Sequence, residues 1–135
     1  MLENKQLKIV DEGVIQPYAD TPLDDEAVGE NVYLNMMGRA KKRIYITTPY
    51  LILDNEMAIA FCNAAKQGVD VRIVTPGIPD KKIVFQVTRS YYRRLLEAGV
   101  KIYEYIPGFL HQKVFLADND FLTIGTINLD FRSLY

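Results

Sequence analysis

The chain has 135 residues, 49% of them hydrophobic, with 16 basic and 17 acidic side chains and a net charge of −1. That length suits one domain, 1–135, with a real core, and the balanced charge lacks the basic excess of a sequence-independent nucleic-acid binder. A single cysteine, Cys62, excludes an intrachain disulfide.

The N-terminus, Met1-Leu2-Glu3-Asn4-Lys5, is no signal peptide. No run approaches the ~18 apolar residues of a membrane span, so this piece reads as soluble. No His/Cys/carboxylate group has metal-ligand spacing, and neither a metal nor another cofactor is expected.

Leu7–Val10 and Val14–Tyr18 are short apolar stretches divided by Asp11-Glu12-Gly13, and the second is read as a strand. Pro17 places it at an edge or a strand end. Asp20–Asp24 is a loop. A helix is expected to start near Asp24 or Asp25, whose side chains can cap free N–H groups. Tyr33, Met36, Met37 and Ala40 keep the i, i+3, i+4, i+7 spacing of a buried stripe. Lys41, Lys42 and Arg43 suit the negative end of that helix.

Arg43–Thr48 alternates and is β-branched, which predicts a strand ending at Pro49. Thr47, Thr48 and Tyr50 fall where a strand meets a loop, a place where ligands gather in open α/β sheets. Asp54 is expected to cap the next helix, with Met57, Phe61, Ala64 and Ala65 buried and Gly68 closing it. Val69–Val74 follows as a strand, and Thr75–Pro79 as a loop. Asp80 is a cap for a third helix carrying Val84, Val87, Tyr91 and Leu95, closed by Gly99. Arg89 is read as surface and Glu104 as an exposed residue of the strand Val100–Ile106. Helices alternating with strands imply an α/β fold, a sheet covered by helices on both faces.

Leu110–Ala117 and Phe121–Ile124 then read as a hairpin around Asp118-Asn119-Asp120, so the sheet is mixed. The hairpin carries most of the polar interest. His111, the only histidine, and Lys113 are two apart, so a strand puts both on one face. Pairing folds the hairpin's end back beside its beginning, bringing Gly125, Thr126 and Asn128 towards that point. Neutral imidazole serves as nucleophile or general acid/base near pH 7. An ammonium stabilises charge on non-bridging phosphate oxygens, and Asn128 can donate to the same oxygens. Asp118 can orient a catalytic group or pin the following turn.

Read together, His111, Lys113, Asp118, Gly125, Thr126 and Asn128 spell H-x-K-x4-D-x6-G-T-x-N. This resembles the H-K-D signature of the phospholipase D superfamily, complete at all six positions. Thr48-Pro49-Tyr50, Arg72–Gly77, Thr88–Tyr91, Ala98–Tyr105 and Asn128–Ser133 extend the likeness. Together they look like the second half of a bacterial cardiolipin synthase, cut from a longer protein and truncated at its C-terminus.

The resemblance implies a phospholipase D-like α-β-α sandwich carrying one of two motifs. It implies a metal-independent phosphatidyl transfer between phosphatidylglycerol molecules through a phosphohistidine. Catalytic roles fall to His111, Lys113 and Asp118, and phosphate binding to Lys113, Asn128, Thr126 and Gly125. Motif order suggests His111 as the acid/base partner, although the sequence leaves open which histidine attacks. The implied partners are the missing N-terminal half and, through the parent protein, the bacterial cytoplasmic membrane. Two other readings stand beside this one: a homodimeric single-motif phosphodiesterase or nuclease, and a non-catalytic phosphate-binding module. The net charge argues against nucleic acid. Arg132 and Ser133 follow the motif as secondary candidates.

Overall fold

The computed structural model describes residues 13–21, 23 and 26–130. The apolar stretch Leu7–Val10, the expected caps Asp24 and Asp25, and Arg132 and Ser133 lie outside them.

Helix α1 (Val28–Arg39) precedes β1 (Arg43–Thr47), α2 (Asn55–Lys66) and β2 (Asp70–Pro76). Then come α3 (Lys82–Ser90), α4 (Tyr92–Glu97) and β3 (Lys101–Tyr105). The hairpin β4 (Val114–Ala117) and β5 (Phe121–Ile124) ends the series. The five strands form one sheet in the order β3-β2-β1-β4-β5. β1, β2 and β3 run parallel, while β4 is antiparallel to both β1 and β5. This is the mixed α/β sheet that the sequence implies.

The helices are distributed differently from the expectation. Among the described residues, the buried side chains of the sheet point to one face: Ile44 and Ile46, Val71 and Ile73, Phe115 and Ala117. Tyr33, Met36 and Met37 of α1, Met57 and Phe61 of α2, and Leu95 of α4 join them in a single core. The cause is topological. The crossovers β1-α2-β2 and β2-α3/α4-β3 step in the same direction across the sheet. Right-handed crossovers that step the same way lie on the same face. The opposite face bears a shallow groove of about 390 Å³ among Tyr45, Thr47, Val74, Tyr103, Leu116 and Leu122.

Local signals set most element ends. Asp54 Oδ1 accepts from the Met57 amide at 2.8 Å and caps α2, as its position predicts. Gly68 and Gly99 close α2 and α4 with φ of 93° and 98°, in the left-handed region that glycine enters without strain.

Other expectations are not met. The strand at Val14–Tyr18 does not form; Val14 and Ile15 are 95% and 94% exposed, with no strand among the described residues beside them to pair. Helix α1 starts at Val28, and its capping acceptor is Asp20, whose Oδ2 takes the Gly29 amide at 2.8 Å. It ends at Arg39, because Arg43 already belongs to β1. Asp80 does not cap α3; Lys81 stands at that position without a side-chain cap. Glu104 is half-buried on the helix side of β3, where it meets Arg89 at 3.1 Å.

Candidate active site

The ladder of β4 begins at Val114, opposite Thr47 of β1 and Ile124 of β5. The strand is thus shorter than the sequence suggests, and His111 and Lys113 immediately precede it. Since β4 runs against β1, its start lies at the carboxyl ends of β1, β2 and β3. That is the edge where open α/β sheets bind ligands.

His111 is exposed. The Phe109 ring stacks on its imidazole at 5.7 Å and 21°, and the Tyr50 ring meets it edge-on at 6.2 Å and 78°. Lys113 is half-buried, and its Nζ donates to the His111 carbonyl at 2.8 Å. One bond to a carbonyl leaves two ammonium hydrogens for a ligand. Burial pushes the Lys113 ammonium below its usual pKa, and the Asp130 carboxylate opposes that shift. A desolvated cation acts more strongly on an incoming anion than a solvated one.

The hairpin returns as its pairing requires. The Gly125 amide donates to the Lys113 carbonyl at 3.3 Å. Nothing lies within 4 Å of where a Gly125 Cβ would project, so backbone and ligand can meet there closely. Thr126 is exposed beside it.

Asn128 is framed by two anchored neighbours. The Ile127 carbonyl accepts from Tyr33 Oη at 3.2 Å. The Leu129 amide donates to Thr48 Oγ1 at 3.4 Å, and its carbonyl accepts from the Ile52 amide at 2.8 Å. Lys113, Thr48, Ile127 and Leu129 line one narrow crevice. Thus His111, Lys113, Gly125, Thr126 and Asn128 come together at one end of the sheet.

Asp118 does not join them. It closes the far end of β4, which at about 3.3 Å per strand residue is more than 10 Å along the strand from Lys113. Its carboxylate accepts three backbone amides, from Lys41 (2.9 Å), Lys42 (2.8 Å) and Arg43 (2.9 Å). Those N–H groups, Lys41 first, then Arg43 and Lys42, hold its pKa below the usual carboxylate value. The motif aspartate therefore anchors β4 to the start of β1, and the catalytic role expected for it finds no support in its position.

A depressed folded pKa fixes the sign of a pH effect. The stabilisation is present above the ordinary aspartate pKa of about 3.9 and is lost as pH falls towards the folded value. Asp118→Asn is expected to lower the melting temperature at neutral pH by several degrees. Wild-type and variant melts should converge in acid. A difference that stays constant from about pH 7 to about pH 3 would contradict this linkage.

Sequence reasoning missed Thr88. It is 1% exposed, and its Oγ1 accepts the Leu51 amide at 3.2 Å, fixing the loop that carries Tyr50. The available signal was its place in the helical series Val84, Thr88, Tyr91, Leu95. Of the stripe read there, Leu95 is buried while Val87 is 38% exposed. Thr88→Val should cost about 1–3 kcal/mol in urea unfolding, because it strands a buried amide, and Thr88→Ser should restore most of it. Equal stability of the Val and Ser variants would remove this role.

Three carboxylates that the sequence spacing did not bring out, Glu30, Asp54 and Glu56, have oxygens within 4.8 Å of one another. Asp54 is already engaged as the α2 cap. No helix among the described residues is long and apolar enough to cross a membrane.

Comparison with known proteins identifies the family and the fold. A protein of Streptococcus mutans without an assigned function is 57% identical over 128 residues, covering 95% of this chain and 28% of that protein. The cardiolipin synthase of Halalkalibacterium halodurans is 46% identical over 125 residues, covering 93% of this chain and 25% of that protein. The chain thus spans about a quarter of the length of the curated relatives it matches. Among solved structures, Nuc of Salmonella typhimurium, described as a phospholipase D family member, superposes with a TM-score of 0.65 at 21% identity. That match covers 77% of this chain and 66% of Nuc, and shows a shared fold. Residues 33–135 match the family described as cardiolipin synthase, phospholipase D-like domain, and the chain belongs to that family.

Proposed function

We propose that the chain supplies one half of the active site of a phosphatidyltransferase of the cardiolipin synthase type. The observation that carries this is the meeting of one imidazole, one ammonium and the Gly125–Asn128 turn at the carboxyl edge of the sheet, in a chain with only one histidine. In the reaction that the family resemblance implies, one imidazole attacks phosphorus while the P–O bond to the leaving glycerol breaks. A second imidazole on the opposite side protonates that alcohol and then deprotonates the incoming one. One His cannot occupy both sides of an in-line displacement. His111 is thus paired with a second motif from the remainder of a longer protein, and motif order suggests it as the acid/base partner.

In this scheme Lys113 and Asn128 hold the non-bridging oxygens, with Gly125 and Thr126 shaping the turn between them. The phosphate chemistry needs no metal. The substrate is phosphatidylglycerol, and the membrane is reached through the rest of the parent protein. The length of the cardiolipin synthase relatives supports this reading, since each has room for a second motif outside the matched quarter.

The test is hydrolysis of a chromogenic phosphodiester in the presence of a chelator, across a range of chain concentrations. No turnover at any concentration is the expected result. Turnover per molecule that rises with concentration and vanishes in His111→Ala would replace this reading with a homodimeric phosphodiesterase. Phosphate binding that persists in the assembled enzyme without any turnover would leave only a binding module.

A further inference from the structure

His111 lies outside the β4 ladder, so its ring is not oriented by strand pairing. Phe109 stacks on it but belongs to the same loop and is 68% exposed. Tyr50 differs, because it is tied to the sheet by several independent bonds. Its carbonyl accepts from the buried Thr48 Oγ1 at 2.7 Å. The amide of the next residue, Leu51, is held by Thr88. Its phenol donates to Asp80 Oδ2 at 2.6 Å, a length typical of a charge-assisted bond.

Asp80 comes from the loop between β2 and α3. It sits beside the N-terminus of α3, yet that helix has no side-chain cap. Besides the backbone amide of Lys81, the Asp80 carboxylate holds the partly exposed phenol of Tyr50. That bond fixes the aromatic edge against which the imidazole rests. We infer that Asp80 and Tyr50 form a positioning pair that sets the orientation of the His111 ring, with Asp80 acting only through Tyr50.

Supporting this, the Asp80 bond, with burial and the Asp80 and Asp130 charges, raises the Tyr50 pKa to about 12, so the phenol keeps its proton. The same bond lowers the Asp80 pKa, so the acceptor stays ionised. The inference rests on His111 being a reacting group, and it extends that reading to residues outside the motif.

Because the chain has one histidine, its imidazole can be read without assignment ambiguity in a carbon–proton NMR spectrum. The wild-type ring should show Overhauser contacts to the Tyr50 ring and shifts displaced from those of free histidine. Asp80→Ala should lose those contacts and move the shifts towards free histidine. Tyr50→Phe should do the same while keeping the ring volume. Asp80→Asn, which retains an acceptor, should restore most of the wild-type spectrum. Amide shifts across β1 and β4 report whether the fold is kept, and Tyr50→Phe decides if Asp80→Ala does not fold.

In the preparation that turns over phosphodiester, Asp80→Ala should lower kcat about 10-fold with KM unchanged, as expected for a misoriented reacting group. An unchanged imidazole spectrum in Asp80→Ala and Tyr50→Phe would overturn the pair. A raised KM with unchanged kcat would overturn it too, making Asp80 a substrate contact. Failure of the wild type to turn over in any preparation would count against the proposed function, while the spectra would still decide the positioning pair.

Discussion

His111→Ala is expected to lower turnover of the assembled enzyme by about 10³-fold or more, because it removes a group that must move a proton or form a bond to phosphorus. No second imidazole exists in the chain to replace it. Lys113, which holds the phosphate in this account, remains in place, anchored to the backbone carbonyl of residue 111 and not to the side chain. Loss should therefore fall on kcat and leave KM near the wild-type value. Steady-state kinetics on a phosphodiester with chelator present separates the two parameters. A residual kcat within tenfold of wild type would remove His111 from the reaction.

Phe115→Ala should produce the largest loss of stability, about 3–5 kcal/mol by urea unfolding. Phe115 lies inside the motif, but its side chain faces the core and is 1% exposed. It stacks on Tyr33 at 5.1 Å and on Phe61 at 6.4 Å, joining α1 and α2 to β4. Domains of this kind have only about 5–15 kcal/mol of stability, so the loss is a large share of the total. It also reaches the site, since Tyr33 holds the Ile127 carbonyl next to Asn128. A loss below about 1 kcal/mol would mean that the surroundings collapse into the space, and would refute this core as drawn. The alternation of the motif thus serves two ends: its apolar residues build the sheet that its polar residues need.

The features legible in the sequence are those with local causes. The Asp54 cap, the Gly68 and Gly99 closures and the Asp118–Asp120 turn each depend on residues a few positions apart. The convergence of Lys113 with Gly125 was legible too, because hairpin register follows from a short turn. The illegible features depend on distant partners. Asp20 caps α1 from nine residues away, and Asp118 binds amides 75 to 77 residues earlier. Nothing in the spacing of H-x-K-x4-D distinguishes an aspartate that meets the histidine from one that meets the start of β1. Asp80 looked like a helix cap by its position, and only its bond to Tyr50 shows where the carboxylate is engaged. Thr88 was hidden by its polarity in a stripe otherwise read for apolar residues.

The central claim is that this chain holds half of a catalytic site. The direct measurement is to mix it, in increasing ratio, with the separately prepared remainder of a full-length cardiolipin synthase and to follow phosphatidylglycerol conversion with chelator present. Neither part should turn over alone, and activity should rise with added chain and saturate near equal amounts. Full metal-free transfer by this chain alone, shown to be a monomer under the assay conditions, would contradict the account.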